Sequence, residues 1–215
     1  MISCITYENL HEFGKAFHSQ FQLRHESFIE RQDYNVKVYR GMEYDQYDTP
    51  ASAYLVSHTP DGRALGASRL TPTTHSCMLR DLWPELVNDK NLLDNPLVWE
   101  GTRYCISKDV SAGLREQIIH EMAVAYLEFG LALGLTRIIG MMPTFIYRSV
   151  FERPGIAMEC LGDVKVIGRH KIRAVAIPVD AEQLENVRRK TGIRHGVLSH
   201  THHSPERTIY YEQAA

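Results

Sequence analysis

The sequence lacks the features that mark exported, membrane-spanning or metal-stapled proteins. The four cysteines form no Cys-x-x-Cys pair: they are Cys4, Cys77, Cys105 and Cys160. This scatter favours reduced thiols in a reducing compartment over a disulfide framework or a zinc site. No apolar run approaches the ~20 residues that cross a bilayer, and no basic-then-apolar leader opens the chain. The cytoplasm is the expected location, with no membrane association.

The chain also lacks a strong charge of either sign. With 24 Lys and Arg against 26 Asp and Glu, the formal net charge is −2, so no global basic field indicates nucleic acid as a partner. Acidic residues gather in the first half, and basic residues lie close together later in the chain. The basic residues are Arg148, Arg153, Lys165, Arg169, Lys171 and Arg173. A local basic face is therefore predicted.

Metal binding is not expected either. The histidines of the C-terminal tail, His200, His202 and His203, have no companion cysteine or spaced carboxylates. Such tails usually bind metals only adventitiously. The sequence therefore predicts no metal.

Periodicity and turn residues predict an α/β fold. Helical spacing or caps mark residues 9–30, 79–87, 111–133, 144–153 and 181–190; strands are predicted at 53–57, 64–70, 97–106, 137–141, 164–167 and 172–178. Strands and long helices alternate in the second half, with hairpins at both ends. This order predicts a three-layer α-β-α sandwich with a central mixed sheet. We expect one domain over residues 1–191, and a tail over 192–215 that packs loosely or is mobile.

Four short stretches carry charged residues next to apolar ones. They are Leu23-Arg24-His25-Glu26-Ser27-Phe28, Asp45-Gln46-Tyr47-Asp48, Gly66-Ala67-Ser68-Arg69-Leu70 and Trp99-Glu100-Gly101-Thr102-Arg103. Arg24 and Arg69 have an ordinary interpretation as surface charges. Asp45 and Asp48 have one as turn residues that bond their own backbone.

Glu100 and Arg103 are harder to explain as surface residues. Their strand is otherwise apolar, and charged groups are costly to bury unless they are paired. Strict alternation places them on opposite faces of the sheet. Gly101 between them allows a β-bulge, which we offer as a hypothesis for bringing both to one face.

In this order and spacing the four stretches resemble the acyl-homoserine-lactone synthases, the LuxI-type autoinducer synthases of quorum sensing. The resemblance covers roughly residues 5–180, and the matching positions are Arg24, Phe28, Tyr34, Asp45, Asp48, Arg69, Glu100 and Arg103. The family usually has tryptophan where this chain has Tyr34. A tyrosine keeps the aromatic wall and adds a hydroxyl group.

The resemblance implies a fold like the N-acetyltransferases and two substrates, S-adenosylmethionine and an acyl thioester. The amine of S-adenosylmethionine is acylated, and the lactone then closes with release of methylthioadenosine, giving a quorum-sensing signal. Glu100 is expected to be the catalytic base, with Arg103 beside it. The residues expected to bind S-adenosylmethionine are Arg24, Phe28, Tyr34, Asp45, Asp48 and Arg69. No cofactor is implied, because S-adenosylmethionine is a substrate.

An apolar tunnel for the acyl chain is also expected. The candidates for its wall are Leu79, Leu82, Trp83, Met122, Tyr126, Met141, Met142, Phe145 and Val150. Ordinary core packing is the alternative for most of them. Met141 or Met142 lies where the resemblance associates a threonine with 3-oxo donors, which favours an acyl group without that function.

The form of the acyl donor stays open between acyl carrier protein and coenzyme A. The stretch 108–115, which corresponds to the phosphate-binding loop of the N-acetyltransferases, has one glycine, and this favours the carrier. The carrier is acidic, so the basic residues Arg148, Arg153, Lys165, Arg169, Lys171 and Arg173 could dock it. A merely solvated basic face is the alternative.

Two rival functions are left open. One is an N-acyltransferase that acylates a different amine from coenzyme A and releases no methylthioadenosine. The other is a non-catalytic sensor that binds S-adenosylmethionine without turnover.

Overall fold

The structure is a computed structural model that describes residues 2–32, 36–168 and 170–199. Tyr34, Arg169 and the histidines His200, His202 and His203 therefore lie outside the described residues. The roles expected for these residues therefore stay predictions.

A mixed β-sheet forms the centre of the fold. Among the described residues its strands follow the order β11-β1-β4-β5-β6-β7-β10-β8, and β9 pairs with β10. The strands of the chain are β1 Ile2–Ile5, β2 Val38–Tyr39, β3 Met42–Glu43, β4 Ala53–His58, β5 Ala64–Pro72, β6 Val98–Ile106, β7 Arg137–Pro143, β8 Glu159–Cys160, β9 Lys165–Ile167, β10 His170–Pro178 and β11 Leu198–Ser199. The pairs β1–β11 and β6–β7 are parallel. Strands β2 and β3 form a separate hairpin.

Helices cover both faces of the sheet. They are α1 Gly14–His25, α2 Met78–Leu82, α3 Ala112–Ala132, α4 Thr144–Tyr147 and α5 Ala181–Thr191. Along β4, Leu55 packs in the core under α3 and α5, whereas Tyr54 and Val56 pack in the core under α1. A third core, around Leu79 of α2, covers β6, β7 and β10. This arrangement confirms the predicted three-layer α-β-α sandwich.

Several local features differ from the prediction. Helix α1 begins at Gly14, five residues later than expected, and continues into a π-helical turn over Glu26–Glu30. Strand β1 was not predicted, because four residues buried on both faces show no alternation. The helix predicted over 144–153 is α4 followed by a second π-helical turn, Arg148–Glu152.

The beginning of the predicted tail packs against the sheet. Strand β11 pairs with β1, and Val197 is buried. The Glu128 carboxylate of α3 accepts hydrogen bonds from the backbone N–H groups of Val197 and Leu198 at 3.0 and 3.1 Å. The expectation of loose packing is therefore corrected for this segment, since a two-residue strand leaves no periodic pattern to detect.

Strands β6 and β7 are paired over only part of their length. The parallel pairing joins Val98–Glu100 to Arg137–Ile139, and beyond it the two strands diverge. The opening between them leads into a cavity bounded by both strands. No helix among the described residues is long and apolar enough to cross a membrane.

A β-bulge at Arg103 turns its side chain toward the α1 face. In the β5–β6 ladder Ala67 lies opposite Cys105, but Arg69 lies opposite Thr102, so β6 carries one extra residue. Arg103 has φ of +56°, which is rare for a residue with a side chain. The hypothesis of a bulge at Gly101 was wrong in position, although its consequence holds: Glu100 and Arg103 reach the same face.

Candidate active site

Arg24 and two carboxylates begin the charged cluster on the α1 face. The Nε atom of Arg24 donates to Oε2 of Glu43 at 2.6 Å. Its two terminal nitrogens donate to both carboxylate oxygens of Asp48, at 2.7 and 2.9 Å. Arg24 and Glu43 are each 0% exposed, so the cluster reaches the protein interior.

Arg69 and Arg103 complete the cluster from the sheet. Arg69 Nη1 lies 2.6 Å from Asp45 and 3.0 Å from Asp48. Arg103 Nη2 lies 2.6 Å from Asp45, and its Nε lies 3.0 Å from Glu43. Each arginine therefore bridges two carboxylates, and each carboxylate bridges two arginines. The six residues form a closed ring in the order Arg24, Glu43, Arg103, Asp45, Arg69 and Asp48.

The ring has no net charge, with three guanidinium groups balanced by three carboxylates. Burial alone raises the pKa of Asp48, but the hydrogen bond from Arg24 and the charges of Arg69 and Arg24 outweigh it and hold the pKa well below its usual range. Tyr54 also donates to Asp48, at 2.9 Å. Asp48 is thus ionised, and the oxygens of all three carboxylates already accept from arginine donors. They position Arg69 and Arg103 rather than offering free negative charge to a ligand.

Glu100 lies on the same face as the ring but outside it. Its carboxylate accepts hydrogen bonds from the backbone N–H groups of Met78 at 2.6 Å and Leu79 at 2.8 Å, and it is 2% exposed. Burial raises the pKa of Glu100 to about 7, although the two amide hydrogen bonds lower it. A carboxyl group with this pKa is suited to accept a proton near neutral pH.

The cavity between β6 and β7 joins Glu100 to the ring. Its volume is about 440 Å³, within the range of small-molecule sites. Phe28, Met78, Glu100 and Arg103 line one part of it. The Arg103 guanidinium lies 5.6 Å from the centroid of the Phe28 ring. Glu100 and Arg103 therefore line the same cavity, and the rest of the ring lies behind Arg103.

The part of the cavity nearer α3 is mostly apolar. Tyr126, Met141 and Met142, which were predicted for the acyl pocket, line it, and so does Val150. Further lining residues not predicted for it are Ile119, Ile146, Phe151, Ile172 and Ile177. Tyr126 Oη lies 2.5 Å from Ser68 Oγ. Ser68 gives its proton to the Thr102 carbonyl, so Tyr126 is the donor to Ser68.

Five residues predicted for the acyl pocket lie elsewhere, and their assignment is corrected. Leu79 and Met122 are buried in two different cores, and Trp83 packs on the edge of the Leu79 core. Leu82 and Phe145 are 47% and 67% exposed. Apolar periodicity indicates which helix face is buried, but it does not show where two strands separate.

The predicted basic face lies mainly on the β9–β10 hairpin and the turn after α4. Lys165, Lys171 and Arg148 are exposed. Arg153 is paired with Glu116 at 2.8 Å, which reduces its contribution. Arg173 is half-buried and donates to the Cys160 sulfur at 3.2 Å.

Sequence reasoning missed Glu43 and the amides of α2. Glu43 ends a hairpin whose turn residues, Arg40 and Gly41, both have positive φ. An aperiodic stretch containing Arg-Gly gave a weak turn signal and no sign that the following carboxylate is buried. The contact of Glu100 with the N–H groups of Met78 and Leu79 could not be predicted either, because every residue except proline has a backbone N–H group.

Solved structures of other proteins share this fold. A CoA-dependent acyl-homoserine lactone synthase, BjaI, solved with MTA, has a TM-score of 0.87 at 24% identity, covering 100% of this chain and 99% of its own. An acyl-CoA N-acyltransferase from Pseudomonas aeruginosa has a TM-score of 0.52 at 17% identity, covering 82% and 98%. At these identities the likeness shows the fold alone, a mixed sheet between layers of helices.

Residues 9–187 match the model of the autoinducer synthase family, and the chain belongs to that family. Isovaleryl-homoserine lactone synthase of Bradyrhizobium diazoefficiens is 26% identical over 194 residues, 90% of this chain and 86% of the relative. Acyl-homoserine-lactone synthase of Vibrio anguillarum is 29% identical over 163 residues, which cover 75% of this chain and 84% of the relative. The family resemblance predicted from the four charged stretches is thereby confirmed.

Proposed function

We propose that the protein is an acyl-homoserine-lactone synthase, an acyltransferase that uses S-adenosylmethionine and an acyl thioester. The observation that carries the proposal is the position of Glu100. Its buried carboxylate, with a pKa of about 7, lines the same cavity as Arg103 and Phe28, where β6 and β7 part.

Glu100 is the proposed base of the first step. The α-ammonium of S-adenosylmethionine gives its proton to Glu100, directly or through a water. The amine nitrogen then attacks the thioester carbonyl carbon. The carbon–sulfur bond breaks, the thiol leaves with a proton, and an amide remains. A positioned base of this kind contributes ~10²–10⁴-fold to the rate.

The second step closes the lactone. A carboxylate oxygen of the acylated substrate attacks the carbon that is two bonds beyond its α-carbon and attached to the sulfonium. The carbon–sulfur bond breaks, its electron pair neutralises the sulfur, and methylthioadenosine leaves. No cofactor is needed in either step.

The roles of the ring residues are revised in this proposal. Asp45 and Asp48 were expected to hold the cationic end of S-adenosylmethionine, but arginines occupy their oxygens. We assign Asp45, Asp48, Arg24 and Arg69 to the positioning of Arg103. Phe28 walls the site, and Tyr34 keeps its predicted role as a wall residue.

The donor is an acyl group carried by coenzyme A or by acyl carrier protein. Two structural neighbours are described as CoA-dependent, BjaI and MesI, with TM-scores of 0.87 and 0.78. The exposed residues Lys165, Lys171 and Arg148 support docking of an acidic carrier. The proposed location is the cytoplasm, in keeping with four free cysteines.

The test is mass spectrometry of reactions that contain the purified protein, S-adenosylmethionine and a panel of acyl-CoA and acyl-carrier donors. Acyl-homoserine lactone and methylthioadenosine are expected in equal amounts. Acylation of another amine without methylthioadenosine would instead identify an N-acyltransferase. Binding of S-adenosylmethionine without product formation from any donor would identify a sensor.

A further inference from the structure

Two arginines that line the cavity differ from those of the ring in having no carboxylate partner. Arg31 follows the π-helical turn after α1, and Arg115 lies in the first turn of α3; both line the cavity. Among the described residues neither forms an ion pair with an Asp or Glu, whereas the three arginines of the ring each have two such partners. Within residues 2–32, 36–168 and 170–199, the cavity wall thus has two positive charges without a carboxylate partner.

Backbone carbonyls fix both guanidinium groups at the end of β6. Arg31 Nη2 donates to the Ile106 carbonyl at 3.2 Å and also to the Ser27 hydroxyl. Arg115 Nη2 donates to the Ser107 carbonyl at 2.7 Å. These bonds use one nitrogen of each guanidinium, which has five N–H donors in all. Donors therefore remain for a ligand at this point.

The neighbouring charges do not cancel this pair. Lys108 and Glu26 lie 3.8 Å apart and balance each other. Asp109 is exposed and forms no ion pair with either arginine in the described part of the chain. Arg31 and Arg115 therefore leave positive charge and free N–H donors at the end of β6.

We propose that Arg31 and Arg115 bind the phosphate at the end of the donor's pantetheine arm. This inference rests on the proposed function. Coenzyme A and acyl carrier protein share that phosphate, and guanidinium groups bind phosphate with several aligned hydrogen bonds. The Arg31 and Arg115 side chains would then bind the phosphate in place of backbone N–H groups, since the 108–115 stretch has only one glycine and is poorly suited to form a phosphate-binding loop.

Position along β6 separates this ligand from the carboxylate of S-adenosylmethionine. Ile106 lies six residues beyond Glu100, which corresponds to ~20 Å of strand at about 3.3 Å per residue. The carboxylate and amine of S-adenosylmethionine are on the same carbon, so an amine at Glu100 keeps its carboxylate near Glu100. The donor's phosphate is separated from the thioester by the whole pantetheine arm and can reach the end of β6.

The experiment compares acyl-CoA, acyl-carrier protein and acyl-pantetheine, which lacks the phosphate, in the wild type, Arg31→Gln, Arg115→Gln and the double variant. The KM for phosphate-bearing donors is expected to rise about 10-fold to 100-fold in each single variant. The KM for S-adenosylmethionine and the activity with acyl-pantetheine are expected to be unchanged. Arg189→Gln, an exposed arginine of α5, is the matched control.

Unchanged activity with acyl-pantetheine also shows that each variant is folded. A rise with both phosphate-bearing donors supports the shared phosphate, and a rise with only one supports that donor as its source. An equal loss with acyl-pantetheine, a rise in the KM for S-adenosylmethionine alone, or no change overturns the inference. If the wild type forms no lactone from any donor, the proposed function itself has failed.

Discussion

Glu43 and Arg103, 60 positions apart in the chain, are joined by a hydrogen bond of 3.0 Å between Oε1 and Nε. Glu43 is fully buried and also accepts from Arg24 at 2.6 Å. One carboxylate thus links the opening helix to the bulged strand that carries the site.

Glu43→Gln is expected to destabilise the fold. The change removes one negative charge and leaves the buried Arg24 and the partly buried Arg103 each short of a charged partner. Breaking a buried ion pair in this way typically costs about 3–5 kcal/mol. Denaturant titration should show this as a loss in the free energy of unfolding. The matched control is Glu159→Gln, because Glu159 pairs with Arg137 at the same 3.0 Å but is about half exposed; a cost of about 0–1 kcal/mol is expected there. Equal costs would show that the ring is not a buried network.

Tyr104→Phe is expected to leave stability unchanged or to increase it. The Tyr104 hydroxyl is buried and has no hydrogen-bond partner among the described residues, so its removal takes away a desolvated group and no bond. Tyr126→Phe is the matched comparison, because both rings lie 5.7 Å from Phe151 but Tyr126 bonds Ser68. Its cost should be about 0.5–1.5 kcal/mol. Thermal melts check the difference, and a larger loss for Tyr104→Phe would contradict it.

Charge reversal tests carrier docking. Lys165→Glu and Lys171→Glu, both on the exposed hairpin, should lower kcat/KM for a carrier-bound donor by about 10-fold at low salt, and less at high salt. The same variants should behave normally with acyl-CoA. Arg189→Glu on α5 serves as the control. If the wild-type kcat/KM for the carrier-bound donor does not change with salt concentration, the basic residues are merely solvated and do not dock the carrier.

The pKa of Glu100 also predicts a pH dependence of stability. Its ordinary value is 4.5, and in the fold the pKa rises to about 7 because of burial. Between these two pH values Glu100 is protonated in the folded state and ionised in the unfolded state, so the free energy of unfolding falls as pH rises. The stabilisation from the protonated Glu100 is complete below pH 4.5 and is lost as pH rises through about 7. Glu100→Gln should remove this part of the dependence in denaturant titrations. An unchanged slope of stability with pH would show that Glu100 is not the titrating group.

Regular elements could be predicted because their signals are local. The helix predicted over 111–133 starts at its cap residue: Ser111 is the N-cap of α3, and its hydroxyl accepts from the Leu114 N–H at 3.3 Å. The hairpin β4–β5 was predicted from two strand-like segments, 53–57 and 64–70, with Pro60-Asp61-Gly62 as the turn between them. Such patterns involve residues within a few positions of one another, so one sequence is enough to read them.

The site could be predicted only in part, because its geometry depends on distant residues. The resemblance identified Arg24, Asp45 and Arg69, but nothing local shows that their charges cancel in a closed ring. The separation of β6 from β7 depends on pairing between distant segments. The position of the bulge depends on how β5 fits β6, and Gly101 suggested the wrong place. Its missing side chain instead makes room for Tyr126, since a Cβ there would lie 2.9 Å from the tyrosine hydroxyl.

The pH profile of kcat/KM for lactone formation, measured on the wild type and Glu100→Gln, tests the central claim most directly. The wild-type rate should rise with pH through about 7 as Glu100 loses its proton. Glu100→Gln should fold and bind S-adenosylmethionine, lose ~10²–10⁴-fold in rate, and lack that rise. A folded Glu100→Gln protein with full activity and the same profile would contradict the assignment of Glu100 as the base.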